Sequence, residues 1–159
     1  IDSTSRTIYS TMQDSDELVA IDLATQTLKW RIKTGPTPAD VFGLAGDKLV
    51  LVALTGGDGV EVYDVSGKEP KLVKLIKTAA GAHAFRAFGD KRHLLVSNRV
   101  ANSISMIDLQ TLEVVNSFPA PGGPACMDVS RDGKQLLVTS RGIGKITNIG
   151  LASRKGGRQ

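Results

Sequence analysis

The chain has 159 residues, of which 41% are hydrophobic and 23% charged, with a net charge of +4. That length holds one domain with a sizeable core, and the composition is that of a globular chain. No apolar run approaches the roughly 18 residues of a membrane span, and nucleic acid wants a concentrated basic face, whereas here only Arg154, Lys155 and Arg158 cluster.

In chain order, Thr7–Thr11, Leu18–Leu23 and Thr27–Ile32 read as three short strands, with a polar loop from Met12 to Asp16. Gly35-Pro36 breaks the run. The next unit, residues 36–81, has strands at Asp40–Leu44, Leu49–Ala53, Val60–Val65 and Leu72–Ile76. Residues 82–122 repeat that plan with Ala84–Phe88, His93–Ser97, Ser103–Leu109 and Val114–Phe118. Residues 123–159 run through it again with Cys126–Ser130, Gln135–Thr139 and Lys145–Leu151, then a degraded last strand at Ser153–Gly157. No segment carries a helical period over about 11 residues.

One phrase organises these strands. It reads Leu18-Val19-Ala20-Ile21-Asp22-Leu23, then Val60-Glu61-Val62-Tyr63-Asp64-Val65, then Ile104-Ser105-Met106-Ile107-Asp108-Leu109, and in worn form Ile146-Thr147-Asn148-Ile149-Gly150-Leu151. The anchors Asp22, Asp64, Asp108 and Gly150 are spaced 42, 44 and 42 apart. A period of this length marks a repeat architecture. The third strand is apolar on both faces: Ile104 and Met106 on one, Ile107 and Leu109 on the other. Such a strand is covered on both sides. Four-stranded units packed face to face around an axis achieve that, so the expected fold is all-β, a β-propeller with antiparallel four-stranded blades. A sandwich or barrel with coincidental spacing is the alternative. The blades expected are 1–35 (partial), 36–81, 82–122 and 123–159 (degenerate or partial).

The repeat resembles the YVTN family of β-propeller proteins. The residues that carry the resemblance are Pro124, Asp132-Gly133-Lys134, Leu136 and Val138 in one unit. Another gives Asn98, Asn102-Ser103-Ile104-Ser105-Met106-Ile107-Asp108-Leu109 and Val114-Val115, and the first gives Ile8-Tyr9 with Ile21-Asp22-Leu23-Ala24-Thr25. The resemblance implies a ring of seven or eight blades, completed by further blades or by a second copy of the chain; a strained four-bladed ring is a third reading. It also implies a bacterial protein outside the cytoplasm, periplasmic or extracellular, although Ile1–Arg6 lack signal-peptide character. The repeat aspartate is expected to bond turn backbone, a structural role.

Function in such a fold sits on loops. The loops between second and third strands share a face with the connections between units. That face collects Asp14, Asp16, Asp58, His83, Arg99, Arg141 and Lys145 as candidate ligand-binding residues. His83, at the start of a first strand near the channel, is suited to a metal, an anion or a cofactor. Asp40, His83 and Cys126 lie 43 residues apart and form a conceivable metal trio, but the family register pairs His83 with Ala39 and Ala125 instead. Thr55–Gly59 offers too few oxygens for calcium, and the glycines of Ser140–Lys145 precede no helix to hold phosphate. One cysteine excludes an intrachain disulfide and a multi-cysteine zinc site. No catalytic residue is assigned and no cofactor is expected, a metal being the exception left open. The favoured function is a non-enzymatic scaffold that binds a protein or small ligand through its loop face or central channel. The alternatives are a redox propeller with a haem, quinone or metal on its axis, and a lactonase-type metal-dependent hydrolase.

Overall fold

The computed structural model describes residues 1–4, 6–44, 46 and 48–151. The strand expected at Ser153–Gly157 and the basic tail lie outside the described residues. The described chain forms four antiparallel sheets. The first holds β1 (Thr7–Met12), β2 (Glu17–Asp22) and β3 (Thr27–Lys33). The second holds β4 (Pro38–Gly43), β5 (Leu49–Leu54), β6 (Gly59–Asp64) and β7 (Lys71–Lys77). The third holds β8 (Ala82–Ala87), β9 (His93–Asn98), β10 (Ser103–Asp108) and β11 (Glu113–Pro119). The fourth holds β12 (Pro124–Val129), β13 (Gln135–Ser140) and β14 (Lys145–Gly150). A single 3-10 turn, Gln13–Ser15, stands where a plain polar loop was expected. This is a partial β-propeller of about four blades.

Alternation explains the stacking. On β10, Ile104 and Met106 face the fourth sheet, packing with Met127, Leu136, Val138 and Ile149. Ile107 faces the other way, into a cluster with Leu51, Val60 and Val62 of the second sheet. Leu18 of β2 joins Val50, Val52, Leu54 and Tyr63 across the first interface. Each interface is a dry apolar layer, and Ile104 and Ile107 are both fully buried. The hydrophobic effect therefore acts on both faces of each middle blade. The outer strands β3 and β7 carry Lys29, Arg31, Lys33, Lys71, Lys74 and Lys77, charges that discourage edge-to-edge pairing.

Polar groups fix the register between blades. Glu61 is buried, and its carboxylate accepts from Gly35 N at 3.1 Å and from Tyr63 Oη at 2.7 Å. Burial first, and then the bond to Glu61, push the Tyr63 phenol above its usual range. The repeat aspartates close turns: Asp22 accepts from Ala24 N and Thr25 N, Asp64 from Ser66 N, and Asp108 from Gln110 N. Asp108 also takes the guanidinium of Arg92 at 2.7 Å. That bond, ahead of those from Gln110 and Thr111, holds its carboxyl below the usual range.

Candidate functional site at the loop end of the blades

The connections between blades lie against the hairpins between second and third strands, so both belong to one end of the molecule. Thr55 N donates to Thr37 O, Arg99 N to Gly81 O, and Arg141 N to Gly123 O. Thr55, Arg99 and Arg141 thus hold one equivalent position in three successive blades, just past the second strand. Gly81 has a φ of +82, and a Cβ there would meet Val100 N at 2.6 Å. Only glycine admits this approach of connection and hairpin.

The first strands of the second, third and fourth sheets each begin with an irregularity that aims a residue differently from its neighbours, whereas β1 pairs with β2 without a break. In β4 the ladder passes from Pro38–Leu54 to Asp40–Ala53, skipping Ala39. In β8 it passes from Ala82–Asn98 to Ala84–Ser97, skipping His83. In β12 it is interrupted between Pro124 and Met127, across Ala125 and Cys126. His83 is therefore the counterpart of Ala39, while Asp40 is the counterpart of Ala84. The even spacing of Asp40, His83 and Cys126 arises because successive repeats of 44 and 42 residues average to 43. The trio does not form a ligand set. Among the described residues no group of three His, Cys, Asp or Glu side chains is placed to hold a metal ion.

What the bulge does assemble is a basic cluster. Arg99 Nη2 donates to His83 Nε2. A guanidinium has no acceptor, so Nε2 must be unprotonated and the ring neutral, with its proton on Nδ1. Nδ1–H then donates to Thr55 Oγ1 at 3.0 Å, and Thr55 Oγ1–H donates to Ala82 O at 3.1 Å. This relay runs Arg99, His83, Thr55, Ala82 carbonyl with every donor facing an acceptor. Burial, then the charges of Arg99 and Arg141, lower the His83 pKa below its ordinary 6.5, opposed by Asp40. Burial and the charge of Arg141 also lower Arg99, opposed by Cys126. Among the described residues the buried Arg99 Nε has no hydrogen-bond partner, and neither has Asn98 Oδ1 beside it in sequence. Among the described residues neither Arg99 nor Arg141 pairs with a carboxylate. The charge of Asp40 acts on His83, and its oxygens accept from Val41 N and Phe85 N.

Asp14, Asp16 and Asp58 lie apart from this cluster, and Lys145 stands beside its Arg141. Asp14 is exposed on the 3-10 turn. Asp16, at φ 52, spends its carboxylate on Thr37 N at 2.7 Å. Asn102, at φ 53, bonds Gly123 N at 2.8 Å in the same manner two blades later. Asp16 is thus a fastener between hairpin and connection. Asp58 is exposed, with Lys77 at 3.9 Å. Lys145 opens β14 and lines a recess of about 440 Å³ with Arg141 and Ala125. A second recess of about 370 Å³, between Arg86, Asp90, Arg131 and Asp132, lies at the opposite end. His93 belongs to that opposite end too: its Nδ1 meets Asp90 at 2.7 Å, and its ring stands edge-on to Phe88.

Four stacked antiparallel sheets with hub-side bulges and a loop end tied by hairpins define a β-propeller of the YVTN type. The chain belongs to the family described as YNCE-like beta-propeller, which it matches over residues 1–159. It is 30% identical over 146 residues to YncE of Salmonella typhimurium, covering 87% of this chain and 40% of that protein, and 29% identical to YncE of Salmonella typhi over the same span. The chain thus spans about 40% of the length of the curated relatives it matches. Among solved structures it resembles Kuenenia stuttgartiensis hydrazine synthase, with a TM-score of 0.79, 23% identity and coverage of 93% of this chain and 44% of that one. It also resembles a functionally unknown protein from Desulfotomaculum acetoxidans, with a TM-score of 0.79, 11% identity and coverage of 94% and 48%. The dihydro-heme d1 dehydrogenase NirN in complex with DHE superposes with a TM-score of 0.69 at 16% identity, covering 94% and 36%. At these identities the structural likeness speaks for the fold alone.

Proposed function

We propose that this chain is part of a non-enzymatic β-propeller that binds a ligand at its loop end, beside the channel mouth. The observation that carries this reading is the cluster of His83, Arg99 and Arg141, two of whose members are cations with no carboxylate partner among the described residues. Cations held together against their mutual repulsion are characteristic of binding sites rather than of stable surfaces. The tautomer argues against catalysis by the one hydroxyl–imidazole pair in the cluster. A general base must accept the hydroxyl proton, whereas here His83 Nδ1 donates to Thr55 and Thr55 donates onward to a carbonyl. Both ring nitrogens are engaged, so binding of His83 to a haem iron or another metal would require Arg99 or Thr55 to leave.

The family supports a setting outside the cytoplasm, periplasmic or extracellular. The outward face of the fourth sheet, with Leu137 and Ile146 exposed, supports a ring completed by further blades or a second copy. The test is a map of amide shifts in the ¹⁵N-labelled chain against a library of small compounds of mixed charge. Shifts centred on residues 81–83, 99–102 and 121–124 are expected. Shifts centred on the recess of Arg86 and Arg131, or none at either end, would overturn the reading.

A further inference from the structure

We propose that the ligand group taken at this site is a small oxyanion, a carboxylate or a phosphate, held between Arg99 and Arg141 and favoured by protonation of His83. The inference rests on the loop-end reading above and names its ligand chemistry. Three observations converge. Arg99 and Arg141, from the hairpins after β9 and β13, occupy equivalent positions in adjacent blades and meet across Gly123, which receives the Arg141 N–H on its carbonyl and has the Arg99 Cγ 3.8 Å from the position of a Cβ, so that the Arg141 charge acts on Arg99. The Arg99 Nε–H is buried with no acceptor among the described residues, although a buried donor normally has one. Among the described residues the only acceptor for its guanidinium is an imidazole nitrogen, a weaker partner than a carboxylate or phosphate oxygen. An oxyanion supplies what is missing: acceptors for the Nε–H and for both forks, and a charge that relieves the repulsion.

The coupling to His83 follows from the same contacts. The groups that face the ring are Arg99 at the end of β9, Arg141 from the β13–β14 hairpin, Asp40 from β4 and the Thr55 hydroxyl. Without an anion, two of the three charges disfavour the imidazolium. A bound anion cancels those two, so His83 takes up a proton more readily, and by linkage the anion binds more tightly as pH falls. Protonation turns Nε2 from an acceptor of Arg99 into a further donor.

The experiment follows the side-chain Nε–Hε signals of the arginines in the ¹⁵N-labelled 159-residue chain. Sulfate, whose charge is constant over the range, is titrated at fixed ionic strength between about pH 7.5 and pH 5.5. Inorganic phosphate and succinate at the lower pH distinguish the two sources of the oxyanion. The expected result is saturable binding with shifts at Arg99 and Arg141, strengthening on acidification. Arg141→Gln, on an exposed side chain that the fold does not need, is expected to weaken binding about tenfold or more, the loss of one charge-assisted contact. Lys91→Gln, which removes the same charge in the turn before β9 at the opposite end, is expected to change nothing. His83→Gln is expected to abolish the pH dependence while the chain stays folded by circular dichroism. Linear, non-saturating shifts, or equal weakening by Arg141→Gln and Lys91→Gln, overturn the oxyanion site. Loop-end shifts with uncharged or cationic compounds but none with the three anions overturn it too, and leave the loop-end reading standing. Silence at the loop end towards every compound overturns both.

Discussion

Replacing Ile104 and Ile107 by alanine, one at a time, probes the claim that a blade is sealed on both sides. The two residues sit three apart on β10, point to opposite faces and are fully buried in different interfaces. Each change deletes about three buried carbons, worth about 2.4 kcal/mol at about 0.8 kcal/mol per carbon. Incomplete collapse of the hole adds to this, so each variant should lose about 3–4 kcal/mol, inside the roughly 2–5 kcal/mol range of such truncations. Val115→Ala, on β11 of the same sheet and half exposed, should lose no more than about 0.5 kcal/mol. Urea unfolding followed by circular dichroism gives all three values, with the slope of the transition expected to be unchanged. If either isoleucine variant unfolded at the midpoint of Val115→Ala, one face of the blade would be wet and the stacking argument would fail.

Stability should fall as pH drops below about 6.5, because the unfolded chain then binds a proton that His83, its pKa depressed in the fold, refuses. The loss should stop once pH passes the folded pKa, and His83→Gln should flatten the curve in that window. Thermal unfolding of both chains across the range tests this, and identical curves would contradict it. Glu61→Ala leaves the buried Tyr63 hydroxyl and the half-buried Gly35 N without their acceptor and should cost about 2–3 kcal/mol by urea unfolding. Gly59→Ala brings a Cβ to 2.4 Å from the Ile76 carbonyl oxygen, so the ladder between β6 and β7 must shift. Its expected cost is about 1–3 kcal/mol, read from the same transition.

The architecture was legible because its cause is local. Alternation around Ile104, Met106 and Ile107, and the turn-closing reach of Asp22, Asp64 and Asp108, lie within single strands and their turns. The first strands of the second, third and fourth sheets begin two residues before the expected Asp40, Ala84 and Cys126, whereas β1 begins at the expected Thr7. Pro38, Ala82 and Pro124 show no alternation, yet a proline is at home on the first residue of a strand. The site was less legible. His83, Arg99 and Arg141 stood among the candidates, but so did Asp14, Asp16 and Asp58, which take no part in the cluster. Asp16 is spent on Thr37 N, a bond between segments 21 residues apart that no local pattern reveals. Thr55 was overlooked as a participant, although aligning the hairpins places it where Arg99 and Arg141 stand. The even spacing of Asp40, His83 and Cys126 conceals a bulge that moves the register by one residue, although the family register already sets His83 against Ala39 and Ala125.

The cluster at the loop end depends on His83 being a neutral acceptor for Arg99. Long-range ¹⁵N–¹H correlation of the imidazole at about pH 7.5 reads the tautomer directly. The account predicts a single form with the proton on Nδ1 and an unprotonated Nε2. A ring protonated on Nε2, or on both nitrogens, would break the relay from Arg99 to Thr55 and contradict it.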